Sequence, residues 1–191
     1  MTGTETAAQT RGGTAGYRLV VPGRWFAVDL DSGRRERAVA ALVERQFAGV
    51  DNAPHLKAQA RQELLAKAGA AYAAGGLEMF LSMQQVAGIP LAASLVIFLV
   101  PPPGAQAVTA EELAGSLGGE GRQVTVTDLP AGTAVRLLRR TGSADGTLEV
   151  FAPVPGDSGW LLLSFSAPLG PLAPAMMKLF DAICMTLRWD Q

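Results

Sequence analysis

The chain has 191 residues, enough for one domain with a sizeable core and short for two. Its 16 basic and 17 acidic residues nearly cancel, which removes the global electrostatic case for nucleic acid or an anionic membrane surface. With one cysteine, Cys184, and one histidine, His55, an intrachain disulfide is excluded and the usual zinc ligands are nearly absent.

In chain order, residues 1–16 are rich in Gly, Thr and Ala without large apolar groups, and read as a flexible tail before a single α+β domain over 17–191. They lack the basic and apolar blocks of a signal peptide and any lipid-bearing cysteine, so the expected location is cytoplasmic. "YRLVV" and "WFAVDL", separated by Pro22-Gly23, read together as an N-terminal hairpin. "DSG" at 31–33 supplies capping residues for a helix from about Arg34, in which Val39, Leu42, Val43, Phe47 and Val50 recur at spacings of three and four. A second helix is expected from Ala53 to Ala74, with Pro54 in its first turn and Gly75-Gly76 as its stop. Leu56, Leu64, Leu65, Ala68 and Tyr72 would form its buried side.

"LEMFLSMQQV" reads as a strand with Leu77, Met79, Leu81 and Met83 on one face. The apolar run Ile89–Val100 that follows is too short for a spanning helix, which needs roughly 20 residues. Its β-branched and aromatic centre, "SLVIFLV", favours a central strand covered on both faces and paired with the preceding one. Pro101, Pro102 and Pro103 end it. Thr109 and Glu112 are spaced as a capping box for a short helix to Leu117. "RQVTVTDL", "GTAVRLLRR", "GTLEVFAPVP" and "WLLLSFSAP" are successive strands, separated by turn-forming segments. A last helix over 171–188 places Leu172, Met176, Leu179, Phe180, Ile183 and Leu187 on one face, a stripe that reads as core. The whole predicts an antiparallel sheet flanked by helices, an α/β/α sandwich.

No catalytic constellation stands out. Cys184 lies within the last helical stripe and reads as a small buried apolar residue, and His55 as an exposed residue in a first helical turn. "GDSGW", Gly156 to Trp160, resembles the serine-protease nucleophile loop only superficially, with Trp160 after the signature and no second histidine. The glycine-rich pieces "AAGGLE" and "LGGEGR" match neither common phosphate-binding pattern. Arg136 and Arg140 would share one strand face and could meet an acidic partner, with a salt-bridged strand as the plainer role.

"VPGRWFAVDL", "LPAGTAVRLLRR" and "LLLSFSAPLGPLAPAMMKLFDAICMTLRW", with the order of elements, resemble the PsbP-like α/β/α sandwich group, which includes LpqN-type lipoproteins of actinobacteria. That resemblance implies binding rather than catalysis: an accessory or assembly factor, in texture similar to products encoded around actinobacterial secretion systems. The expectation is therefore a non-enzymatic protein-interaction module with an unidentified protein partner, no cofactor, no metal, no nucleic acid and no membrane insertion, and with homo-oligomerisation left open. Arg136, Arg140, Tyr72 and Trp160 are its candidate partner or ligand surface. The alternative is a small-ligand-binding domain with a pocket between the sheet and the helix over 54–74, lined by Tyr72, Met79, Met83 and Trp160. An enzyme using Asp29, Asp31 or Asp128 is the third reading.

Overall fold

Apolar runs separated by Gly, Pro and Asp turns become, among the described residues, twelve strands and four helices in a computed structural model of the chain. The structure describes residues 3–8, 16–48, 54–82, 85–86, 89–90, 93–102, 104, 107–141, 145–168 and 173–190. In order these form β1 (Gly3–Ala8), β2 (Tyr17–Pro22), β3 (Trp25–Val28), α1 (Ser32–Gln46), α2 (Pro54–Ala73) and β4 (Gly76–Ser82). There follow β5 (Gln85–Val86), β6 (Ile89–Pro90), β7 (Ser94–Val100), α3 (Ala110–Leu117), β8 (Arg122–Leu129) and β9 (Gly132–Thr141). The chain closes with β10 (Asp145–Pro153), β11 (Trp160–Pro168), α4 (Ala173–Cys184) and β12 (Arg188–Trp189). Seven strands make one antiparallel sheet in the order β3-β4-β7-β11-β10-β9-β8; β1-β2-β12 make a small second sheet, and β5 pairs with β6. The fold is α+β, with helices packed on an antiparallel sheet.

Strand alternation sends side chains to two faces, and both are apolar. On the first face Val28, Met79 and Leu81 meet Val39, Leu42 and Val43 of α1 and Ala68 and Ala71 of α2. Farther across that face, Val135, Phe151 and Trp160 lie under Ala110 of α3, with Leu113 and Leu117 beside them. The second face carries Leu95, Ile97, Leu148, Val150, Leu161, Leu163 and Phe165, which pack on Met176, Phe180 and Ile183 of α4 and on Tyr17, Leu19 and Val21 of β2. Phe180 stacks on Phe165 at 4.6 Å between centroids and stands edge-on to Trp25 at 6.3 Å.

Local chemistry explains where the helices begin. The Asp31 carboxylate accepts from the Gly33 N–H and starts α1. Thr109 and Glu112 close a reciprocal capping box on α3. Gly75, at a φ of +82°, ends α2 in a conformation that a side chain disfavours.

Several expectations change. "YRLVV" and "WFAVDL" are not a hairpin: β2 pairs with β1 and β12, whereas β3 pairs with β4. The Pro22-Gly23 corner takes the chain from one sheet to the other, so that buried Val21 and Trp25 serve the same core. Within the stretch expected to be a flexible tail, β1 runs along β2 from Gly3↔Pro22 to Ala8↔Tyr17. Such a ladder is made by backbone groups and needs no large side chains. On α2 the buried side is Ala68 and Ala71, with Leu64 and Leu65 partly covered, while Leu56 and Tyr72 are exposed. The final helix stops at Cys184 because the Thr186 hydroxyl donates to the Ile183 carbonyl and accepts from the Val20 N–H, turning the chain into β12. Val50, Met83 and Leu172 lie outside the described residues.

β7 is central, between β4 and β11, and its Leu95 and Ile97 are fully buried. Val96 turns to the α1–α2 cluster on the opposite face.

Phe180 is the side chain on which the second face closes. Phe180→Ala is expected to lower the unfolding free energy by about 3–5 kcal/mol, read as an earlier urea midpoint at an unchanged slope. An unchanged midpoint would show that α4 does not hold that face.

Candidate functional site

Exposed apolar groups occur on both faces of one end of the sheet, where α2 runs into β4 and β7 leaves it. Tyr72 is 56% exposed, Leu77 36% and Leu99 38%. The Gly75 turn brings the end of α2 to the start of β4, and the register Gly76↔Phe98 sets that start against the end of β7. Between Gly76 and Glu78 the register shifts, leaving Leu77 as an extra residue that is unpaired in the ladder. Pro101 beyond β7 stops the strand and is itself exposed. At the back of this rim, Arg35 of α1 stands 5.7 Å from the Tyr72 ring centroid, and its Nη1 is buried without a hydrogen-bond partner among the described residues. The cation thus holds the ring from the α1 side while the ring's remaining surface stays open.

Two cavities accompany it. An open cleft of about 380 Å³ lies between α1 and α2, lined by Ala40, Val43, Glu44, Lys57, Ala58, Arg61, Gln62 and Leu65. The Lys57–Glu44 ion pair at 3.0 Å joins its two helices. A smaller space of about 150 Å³ lies beside α4, lined by Thr127, Leu129, Arg136, Val150, Asp181, Cys184 and Met185. Arg136 donates to Asp181 there at 3.0 Å. Burial, with the neighbouring Asp181 carboxylate, pushes the Cys184 thiol up to about 12, although Arg136 opposes the shift. Little nucleophilic thiolate is available at neutral pH.

The anticipated surface residues do not form one site. Arg136 is held in its ion pair on the α4 face, and the side chain of Arg140 lies outside the described residues. Trp160 is 6% exposed in the cluster beneath α3, so it contributes to the core. Among those whose side chains are described, Tyr72 presents an open face. Nor do Tyr72, Met79 and Trp160 line a shared pocket: Met79 is filled around by the α1–α2 cluster and Trp160 belongs to another. The three aspartates form no single site either, since Asp29 and Asp31 adjoin at the start of α1 and Asp128 lies away from them. Asp29 pairs with Arg34, Asp31 caps α1, and Asp128 accepts from Thr133 at the far edge of the sheet. "GDSGW" is the β10–β11 turn, where the Ser158 hydroxyl donates to backbone carbonyls.

Two of the polar pairs that escaped the sequence reading join separate strands of the fold. Arg139 donates to Glu149 at 2.7 Å on the first face, with the Glu149 side chain 15% exposed. Their two strands face one another through a hairpin, which is the signal that could have paired them. Tyr17 donates to Glu78 at 2.6 Å and joins the small sheet to the large one, a contact across 61 residues that no local pattern encodes. Trp189 meets the Tyr17 ring edge-on at 6.3 Å, and its indole N–H donates to the Ala131 carbonyl.

The chain matches no family model and no curated protein. Among solved structures it is similar to the crystal structure of LpqN, involved in cell envelope biogenesis of Mycobacterium tuberculosis. The TM-score is 0.49 at 13% identity, over 99% of this chain and 92% of that one. This is a distant structural relationship. Among the described residues, no helix is long and apolar enough to cross a membrane.

Burial raises the Glu78 carboxyl above its ordinary value of 4.5, against the opposing hydrogen bond from Tyr17. A carboxyl raised in the native state favours folding in its protonated form. That contribution is full below the unfolded value and is lost as pH rises through the native one. Glu78→Gln keeps an acceptor for Tyr17 and is expected to flatten the fall in stability as pH rises above the ordinary carboxyl range, measured by urea midpoints. A wild-type-like slope would locate the titration elsewhere.

Proposed function

We propose that this protein is a non-enzymatic interaction module, an accessory or assembly factor that binds a protein partner through the rim formed by Tyr72, Leu77 and Leu99. The observation that carries this reading is the exposure of three large apolar side chains at one end of a sheet whose central strands are covered on both faces. Scattered exposed apolar residues are ordinary on a protein surface. Here a helix stop, a strand bulge and a strand exit fall at one end of the sheet, with Tyr72 on the α2 side and Leu99, in phase with Leu95 and Ile97, on the other. The Tyr supplies amphipathic contact area. The finer part of the proposal, a role beside an actinobacterial secretion system, draws on the Ala- and Gly-rich texture of the chain and its resemblance to LpqN-type sequences.

Small-ligand binding is the weaker reading. The α1–α2 cleft has the volume of a ligand site, but it is open and crossed at its mouth by charged side chains.

Affinity capture from the native host, with mass spectrometry, tests the proposal when wild type is compared with Leu77→Ser/Leu99→Ser. The wild type is expected to enrich a protein that the double variant loses by about tenfold or more, as for truncation of central interface anchors. A partner retained equally by both forms moves the interface off the rim. A stoichiometric small molecule with no enriched protein overturns the reading.

A further inference from the structure

The two edges of the large sheet differ. β3, at one end, has four residues, and short edge strands resist further pairing. β8, at the other, has eight residues, "RQVTVTDL", and pairs with β9 without a register shift from Arg122↔Arg139 to Leu129↔Gly132. It contains no proline, lysine or bulge, the devices that usually blunt an edge. Among the described residues no strand pairs with its outer side. Val126 is 41% exposed, and Arg122, Gln123, Thr125 and Asp128 are exposed as well. The outer row of backbone donors and acceptors faces solvent with a Thr- and Val-rich strand behind it.

We propose that this edge pairs with β8 of a second copy of the chain, antiparallel about a two-fold axis at Thr125, continuing the sheet from one subunit into the other. Symmetry restricts the register. Residues directly opposed in an antiparallel pair lie on one face of the sheet, so even-numbered positions of β8 must meet even-numbered ones. Centred on Thr125, the pairing sets Arg122 opposite Asp128 of the second copy, Gln123 opposite Thr127 and Val124 opposite Val126. Each pair is complementary, and the two-fold makes the Arg–Asp pair twice. Centred on Val124, the strand would oppose Asp128 to Glu120. Centred on Val126, it would set Asp128 against Val124 and Arg122 against Pro130. Only the Thr125 register joins unlike charges. Both charges are available for it: among the described residues the Arg122 side chain donates only to the Leu117 carbonyl, and the Asp128 carboxylate accepts only from the Thr133 hydroxyl.

This inference stands apart from the rim proposed above, which lies away from β8 in the strand order. Sedimentation equilibrium of the full chain over a concentration series tests it. Wild type is expected to show a reversible monomer–dimer equilibrium. Arg122→Asp, which places like charges opposite each other twice, is expected to weaken the dimer by about tenfold or more. Asp128→Arg does the same from the other end of the strand, so the test survives one variant that fails to fold. The double exchange Arg122→Asp/Asp128→Arg restores the unlike pairs and is expected to recover dimerisation. A monomer at every concentration overturns the proposal and leaves the edge to a strand of another protein. A dimer indifferent to the single exchanges places the interface elsewhere, and a loss that the double exchange does not repair rejects the register.

Discussion

A wide antiparallel sheet with two apolar faces must be covered twice, and that constraint organises the molecule. On the second face the cover is α4, fixed by Phe180 stacked on Phe165 and edge-on to Trp25. Such aromatic pairs contribute about 0.5–1.5 kcal/mol each beyond the burial of their area. One helix is too narrow for seven strands, so β2 completes the layer with Tyr17, Leu19 and Val21. β12 returns along β2, and the Tyr17 hydroxyl reaches Glu78 across the interface. On the first face the cover is divided between the α1–α2 pair and α3.

Covering layers protect the faces of a sheet and leave its ends and edges. At the end near Gly76 three causes act together. A left-handed glycine turns α2 directly into β4, a bulge expels Leu77 from the ladder, and proline stops β7 one residue after Val100. Each is a backbone event, and the bulge leaves Leu77 without a place in the ladder. Exposure at this rim follows from how the elements are joined.

The strands of the C-terminal meander were legible because their boundaries are written in turn residues, and "RQVTVTDL" and "WLLLSFSAP" begin where the residues say they should. The capping box of α3 was legible for the same reason: Thr109 and Glu112 act within one turn. Sheet membership was not legible. β2 and β3 satisfy the local signature of a hairpin, but burial of Val21 and Trp25 in one core is achieved by sending them to different sheets. Candidate-site residues divided in the same way. Large side chains suggested Tyr72 and Trp160 together, although helical phase leaves the first outside and strand alternation turns the second under α3. Leu99 reads as interior with the rest of its apolar run, because hydrophobicity alone does not register that the sheet's cover ends before its strand does.

Topology explains why β8 is an edge at all. After β7 the chain does not add its next strand alongside. It crosses the first face through α3, places β8 four strand positions away, and then meanders back until β11 fills the place beside β7. At a strand spacing near 4.8 Å that crossing is about 19 Å, a distance the 101–121 connection spans while α3 covers Val124 and Val135 on the way. The last strand of the meander is thereby locked between two neighbours, and the first is left with one. Sequence follows that inequality: β11 is a nearly continuous apolar run, while β8 alternates Val with Thr and carries its single Arg and single Asp near opposite ends. A strand with polar residues on one face and opposite charges at its ends tolerates solvent as a monomer. The same pattern is self-complementary when the strand meets its own copy reversed.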